Sequence, residues 1–247
     1  MTFSLVQILS AIAALLVGLS KGGLPAMGMI AVPLLSLVIS PVKAVVLLLP
    51  IYVVSDIVGV WLYRHQYSAE NLKILAPAGV AGVFIGWFTA SLVPERAIAF
   101  LIGAMGVGFC LHIWLRKDTA APPRLPSVSR GWFWGTLSGF TSFISHAGSP
   151  PFQIYTLPQR LPKAVFAGTS TIVFAVINAA KILPYQNLQP YTADLLRSAG
   201  VLIPFALVGT VLGAYLTRRI ADAWFFRLVQ VSLFAVSAKV LFDAVFG

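Results

Sequence analysis

The sequence predicts an all-α integral membrane protein made of two inverted-topology repeats. Each repeat has about five helical segments, with helix breaks meeting at the bilayer midplane. Three observations predict it. The chain is 59% hydrophobic and 10% charged, where a soluble domain carries about 25% charged residues, and its mean hydropathy is +0.91. Its apolar segments fall as five, a polar linker, then five more. Two polar breaks, Ser20-Lys21-Gly22-Gly23-Leu24-Pro25-Ala26-Met27-Gly28 and Ser145-His146-Ala147-Gly148-Ser149-Pro150-Pro151, interrupt corresponding places in the two halves. Such paired interruptions point to a transporter's binding site, because non-helical backbone at membrane depth must face a cavity or protein.

The elements follow in order. Residues 3–19 have no basic leader and no small-residue cleavage site before Lys21, so they read as a retained helix and not a signal peptide. Residues 26–39 form a short second segment. As one helix, residues 3–39 would run about 55 Å at 1.5 Å per residue, against hydrocarbon about 30 Å thick. The half therefore opens with two short tilted spans or with a re-entrant hairpin. Residues 42–62, 74–93 and 97–115 are each close to the roughly 20 residues a span needs. Residues 116–130 are the longest polar stretch. Residues 131–144, 151–158, 162–183, 196–216 and 224–246 then repeat the order long, short, long, long, long. Gly28, Leu37, Lys43, Ala44 and Val45 recur as Gly148, Leu157, Lys163, Ala164 and Val165; Gly18 matches Gly139, and Gly86 matches Gly209. The expected division is a first transmembrane repeat over 1–115, a linker over 116–130 and a second repeat over 131–247.

Loop charge sets the expected orientation. Arg116, Lys117, Arg124 and Arg130 stand against Asp118 in the linker, which places it in the cytoplasm. The loop with Arg64 and Lys73 shares that side, and the Pro94-Glu95-Arg96 turn is outside. Its counterpart, with Arg218, Arg219 and Arg227, is inside. Equivalent loops on opposite sides are the mark of inverted repeats, and both termini then lie outside. Small-residue faces, Gly82-x-x-x-Gly86-x-x-x-Ala90 and Gly209-x-x-x-Gly213, serve either internal packing or a homodimer.

Several classes are excluded. A net charge of +10 would suit nucleic acid, but the cations are scattered through short loops and form no docking face. Cys110 is the only cysteine, so no intrachain disulfide forms. Neither a metal-ligand cluster, a phosphate loop, a cofactor motif nor a catalytic carboxylate pair is present. Most of the tryptophans lie near segment ends, as interface anchors do.

Ionisable residues within membrane segments are costly and point to function. Lys21 ends an apolar segment at two glycines and Pro25. A cation beside a helix N-terminus outlines an anion site; the plain alternative is a lysine snorkelling to the interface. His146 lies in the second break, and its imidazole could bond or pair with an anion, or be structural. Gly22, Gly23, Ser142, Ser145, Gly148 and Gln153 complete the candidate substrate-binding set, with Ser149 a further nearby donor. Asp56 and Lys181 lie deep in their segments, with Asn178 one turn before Lys181. Asp56 pairs with Lys21 or Lys181, or carries a proton. Lys43 and Lys163 begin equivalent helices as interfacial anchors.

The chain resembles the TauE/SafE family of sulfite exporters. The resemblance rests on Gly18-Leu19-Ser20-Lys21-Gly22-Gly23-Leu24-Pro25 with Val32-Pro33-Leu34-Leu35, and on the stretch from Gly135 to Pro151 followed by Tyr155 and Pro158-Gln159-Arg160. It covers nearly the whole chain; Leu24-Pro25 and Ser149 replace family glycines. It implies export of a small sulfur anion, sulfite or an organosulfonate, across a bacterial inner membrane by a multi-pass, non-enzymatic protein without cofactor. The residues alone reach a small anion, with lipid as surroundings and no nucleic acid partner. An anion channel, or a membrane-embedded enzyme or assembly factor, stays as the alternative.

Overall fold

The computed structural model describes residues 5–89, 94–115 and 122–246. These form ten α-helices and two 3₁₀ turns, with no strand among the described residues: α1 (Leu5–Lys21), α2 (Gly28–Ser36), α3 (Pro41–Tyr63), α4 (Ala69–Thr89), α5 (Glu95–Leu115), α6 (Val128–Ser145), α7 (Ser149–Thr156), α8 (Lys163–Leu188), α9 (Ala193–Arg219) and α10 (Asp222–Phe246). The order long, short, long, long, long appears in both halves. By length and composition, α3, α4, α8, α9 and α10 can each cross a membrane.

The helices overrun the apolar segments where caps extend them. The Ser68 hydroxyl accepts the Asn71 N–H at 3.3 Å, and Glu70 lies in the first turn, so α4 starts five residues before its apolar run. Thr192 accepts the Leu195 N–H at 3.3 Å and starts α9 early in the same way. The linker is shorter than expected, since α6 begins at Val128. The linker charges Arg116, Lys117 and Asp118 lie outside the described residues.

Each half opens with a hairpin, not with two spans. The Ala13, Ala14 and Val17 face of α1 packs with Ala31, Val32 and Leu35 of α2 and with Ala44 and Leu48 at the start of α3. The chain thus returns toward the end of the bundle from which α1 came. Gly23 turns at φ +112°, a value glycine adopts without strain. The second break turns on His146, at φ 55°; its N–H bonds the Ser142 carbonyl at 3.0 Å and closes α6. No glycine signals that turn in the sequence.

Packing between the halves is reciprocal. α1 lies on α9 and α6 on α4, while α3 pairs with α8 and α5 with α10. α3 and α8 run antiparallel: Ser68, just past α3, donates its N–H to Thr169 at 2.9 Å near the start of α8, while Val45 near the start of α3 meets His146, which bonds Lys181 late in α8. α5 and α10 are antiparallel as well, since Gly103 lies against Leu241 and Cys110 reaches the Gln230 carbonyl. Glycine sets the close crossings. A Cβ on Gly18 would overlap the Ala206 carbonyl, and one on Gly82 the Thr136 carbonyl. Gly82 and Gly86 pack on α6, and Gly209 and Gly213 on α1, so both small-residue faces serve internal packing. Ala90 lies outside the described residues.

Candidate functional site

The two breaks and the antiparallel pair α3–α8 bring the deepest ionisable side chains together. Lys21 and Asp56 form an ion pair at 2.8 Å, with side chains 4% and 6% exposed. The second carboxylate oxygen of Asp56 accepts from the Asn178 amide at 2.7 Å. Burial of such a pair is tolerated only when its remaining atoms are also bonded, and Asn178 supplies that bond. Of the two candidate partners for Asp56, the structure selects Lys21. The Lys21 ammonium also stands 4.9 Å from the Tyr52 ring centre, within cation–π range.

Lys181 has a different environment. Its Nζ lies 3.2 Å from the Ser142 carbonyl, 3.1 Å from Ser142 Oγ and 2.7 Å from His146 Nδ1. An ammonium has three N–H donors, and these are three acceptors. His146 Nε2 is 3.1 Å from the Val45 carbonyl. A carbonyl only accepts, so Nε2 carries the hydrogen and Nδ1 accepts from Lys181. Tyr52 stacks on the imidazole with ring centres 4.6 Å apart. Both ring nitrogens of His146 are therefore committed to protein. The expected direct bond from imidazole to anion is not the geometry found; His146 lines the site with its ring.

A cavity of about 30 Å³ lies between these groups, room for about two water molecules. Lys21, Pro25 and Gly28 of the first break wall it together with His146 and Ser149 of the second and Ser142 of α6, and Tyr52, Ser170, Thr171, Phe174 and Asn178 close the sides. Its polar surface offers chiefly donors. Ser142 Oγ accepts from Lys181, and Ser149 Oγ accepts from the Gln153 amide at 2.6 Å, which leaves both hydroxyl hydrogens uncommitted. Ser170 Oγ is buried with no hydrogen-bond partner among the described residues. Asp56 faces Lys21 and Asn178, so its negative charge is turned to protein.

Of the sequence-derived candidates, Lys21, Ser142, His146, Ser149 and Asn178 line the cavity. Asp56 and Lys181 stand directly behind them. Gly22 packs against Gly213 and Ala214, and its carbonyl accepts from Tyr63 at 2.6 Å and Thr217 at 3.1 Å. Gly23 makes the turn. Gly148 accepts from Ser138 at 2.7 Å, Gln153 orients Ser149, and Ser145 does not reach the cavity. Tyr52, Ser170, Thr171 and Phe174 were not among the candidates. The run Thr169-Ser170-Thr171 in an otherwise apolar helix is the signal that could have found two of them. Lys163 donates to the Ile220 carbonyl at 2.5 Å and pairs with Asp222 at 3.1 Å, an anchor at the bundle's end.

Matched pairs surround the site. Tyr63 donates to the carbonyl of Gly22 and Tyr185 to that of Phe143, at 2.6 and 2.5 Å. Each tyrosine near the end of its helix thus pins backbone within or just before a break. Tyr63 and Tyr185 are 122 residues apart, as are Asp56 and Asn178, which bond each other, and Tyr52 and Phe174, which both line the cavity.

The model of the family described as sulfite exporter TauE/SafE matches residues 10–240. No curated protein and no solved structure matches the chain.

Proposed function

This chain belongs to the TauE/SafE sulfite exporter family, and from that premise we propose that it exports a sulfite-sized sulfur oxyanion across a bacterial inner membrane, binding it in the cavity between the two breaks. The observation that carries the reading is the donor-rich wall: Lys21, the hydroxyls of Ser142, Ser149 and Ser170, and Asn178 converge on one small buried space. An oxyanion with several acceptor oxygens uses such donors together, and charge-assisted bonds are the strong ones. The small volume supports sulfite over an organosulfonate with a carbon chain. Buried walls support a carrier over an open channel. A membrane potential favours expulsion of an anion by about 2.3 kcal/mol per charge per 100 mV, so export needs no coupled proton.

The reciprocal helix pairing and the matched tyrosine bonds support a pseudo-two-fold relation between the halves. The antiparallel course of the related helices α3 and α8 supports an inverted relation, with the cavity at its axis near the midplane. Rocking of one repeat against the other would then open the cavity to either side.

The test is sulfite efflux from proteoliposomes. We expect saturable flux that Lys21→Met and Ser170→Ala each reduce in folded protein. Flux that never saturates, or that ignores both changes, would overturn the reading.

A further inference from the structure

Counting charge around the cavity leads further. Among the described residues, four side chains that can carry a charge at neutral pH are buried there: Lys21, Asp56, His146 and Lys181. Lys21 and Asp56 cancel at 2.8 Å. His146 bonds as a neutral ring, with hydrogen on Nε2. Lys181 is fully buried and meets only neutral acceptors: Ser142 O, Ser142 Oγ and His146 Nδ1. Three acceptors around Nζ match the three N–H donors of an ammonium, so Lys181 is read as a cation, and among the described residues no carboxylate contacts it. Lys181 does not itself line the cavity; Ser142 and His146 stand between. Its field reaches the cavity through the Ser142 hydroxyl, which accepts from Lys181 and keeps its own hydrogen for a ligand.

We infer that this cavity selects singly charged oxyanions, with Lys181 as the specificity-determining residue. The inference rests on the reading that the cavity binds an oxyanion. A monoanion brings the buried group to neutrality. A dianion only reverses the sign of the imbalance and loses more hydration on entry. For sulfite, whose second proton dissociates near neutral pH, the bound species is then hydrogensulfite. The substrate brings its own proton, and no side chain has to carry one.

Isosteric anions that differ by one charge provide the test. Chlorate is pyramidal like sulfite, and perchlorate tetrahedral like sulfate; both are monovalent at any workable pH. Calorimetry on the purified full chain, with sulfite kept dianionic, gives the ratio of dissociation constants for each pair. Dehydration favours a monoanion at any site, so variants provide the decisive comparison. We expect wild-type protein to favour the monoanion in both pairs. Lys181→Met lowers monoanion affinity about tenfold, and Asp56→Asn, which raises the net charge to two, moves both ratios about tenfold toward the dianion. A dianion preference in wild type, or ratios unmoved by Asp56→Asn, overturns the inference. If neither variant folds, the wild-type ratios still test the inference: a dianion bound as tightly as its monovalent isostere overturns it. If no oxyanion of either charge binds, the proposed function falls as well; if isosteres bind alike, only the selectivity does.

Discussion

Asp56 holds Lys21 with one oxygen and Asn178 with the other, so three helices depend on one carboxylate. Removing one partner of a buried pair strands the other charge, at a cost of about 3–5 kcal/mol. We expect Asp56→Ala to lower stability by that amount in thermal unfolding of purified protein, and Lys21→Met with Asp56→Leu to recover most of it. An Asp56→Ala protein as stable as wild type would show that the pair does not hold the bundle. Ser170 should behave in the opposite way. Its hydroxyl has no partner among the described residues, so Ser170→Ala should leave stability unchanged and weaken sulfite binding by about 0.5–1.5 kcal/mol, one hydrogen bond's worth. Equal loss of stability and binding would place it in the fold and not in the site. The ionisable residues here were legible in the sequence because membrane segments rarely carry them. Which lysine Asp56 takes was not, since that depends on how α1 meets α3. Tyr52 and Phe174 read as ordinary core until the crossing of α3 and α8 turns them toward one cavity.

At the scale of elements, hydropathy found all ten helices but not their ends. Caps such as Ser68 and Thr192 act through single hydrogen bonds that an apolar average does not register. The choice between tilted spans and hairpins was also open, because it turns on tertiary contacts of α2 with α1 and α3. Glycine positions convert this packing into a paired prediction. Gly18 lies against the Ala206 backbone, which cannot yield, whereas a Cβ on Gly108 meets nothing within 4 Å. Gly18→Val should push α1 off α9 and abolish monodisperse protein in size-exclusion chromatography. Gly108→Ala should be neutral or stabilising by up to about 1 kcal/mol, since alanine loses less backbone entropy in a helix. Wild-type behaviour of Gly18→Val would mean that α1 and α9 are not in such close contact.

For the whole molecule, the two ends of the bundle differ in charge. The turn after α3 bonds the start of α8, Lys163 bonds the turn after α9, and Arg124 bonds Pro158 after α7. These contacts gather Arg64, Lys73, Arg124, Arg160, Lys163, Arg218 and Arg219 at one end. α4 spans about 31 Å, at 1.5 Å per residue, before the chain reaches Pro94 at the other end. That far end holds Lys43, Arg96, Arg197 and Lys239 together with Asp194 and Asp243. From the positive-inside rule we expect the first end to be cytoplasmic, with Leu5 and Phe246 toward the outside and the α1–α2 and α6–α7 hairpins entering from opposite faces. Single cysteines introduced into a Cys110→Ala background check this by labelling with an impermeant maleimide. Cysteines at Pro94 and at Leu5 should label from outside intact cells, and those at Leu125 and Arg218 only after the membrane is opened. Outside labelling at Leu125 would reverse the orientation. Labelling of Pro94 and Arg218 from the same side would remove the inverted relation, and with it the argument that one cavity can face each side in turn.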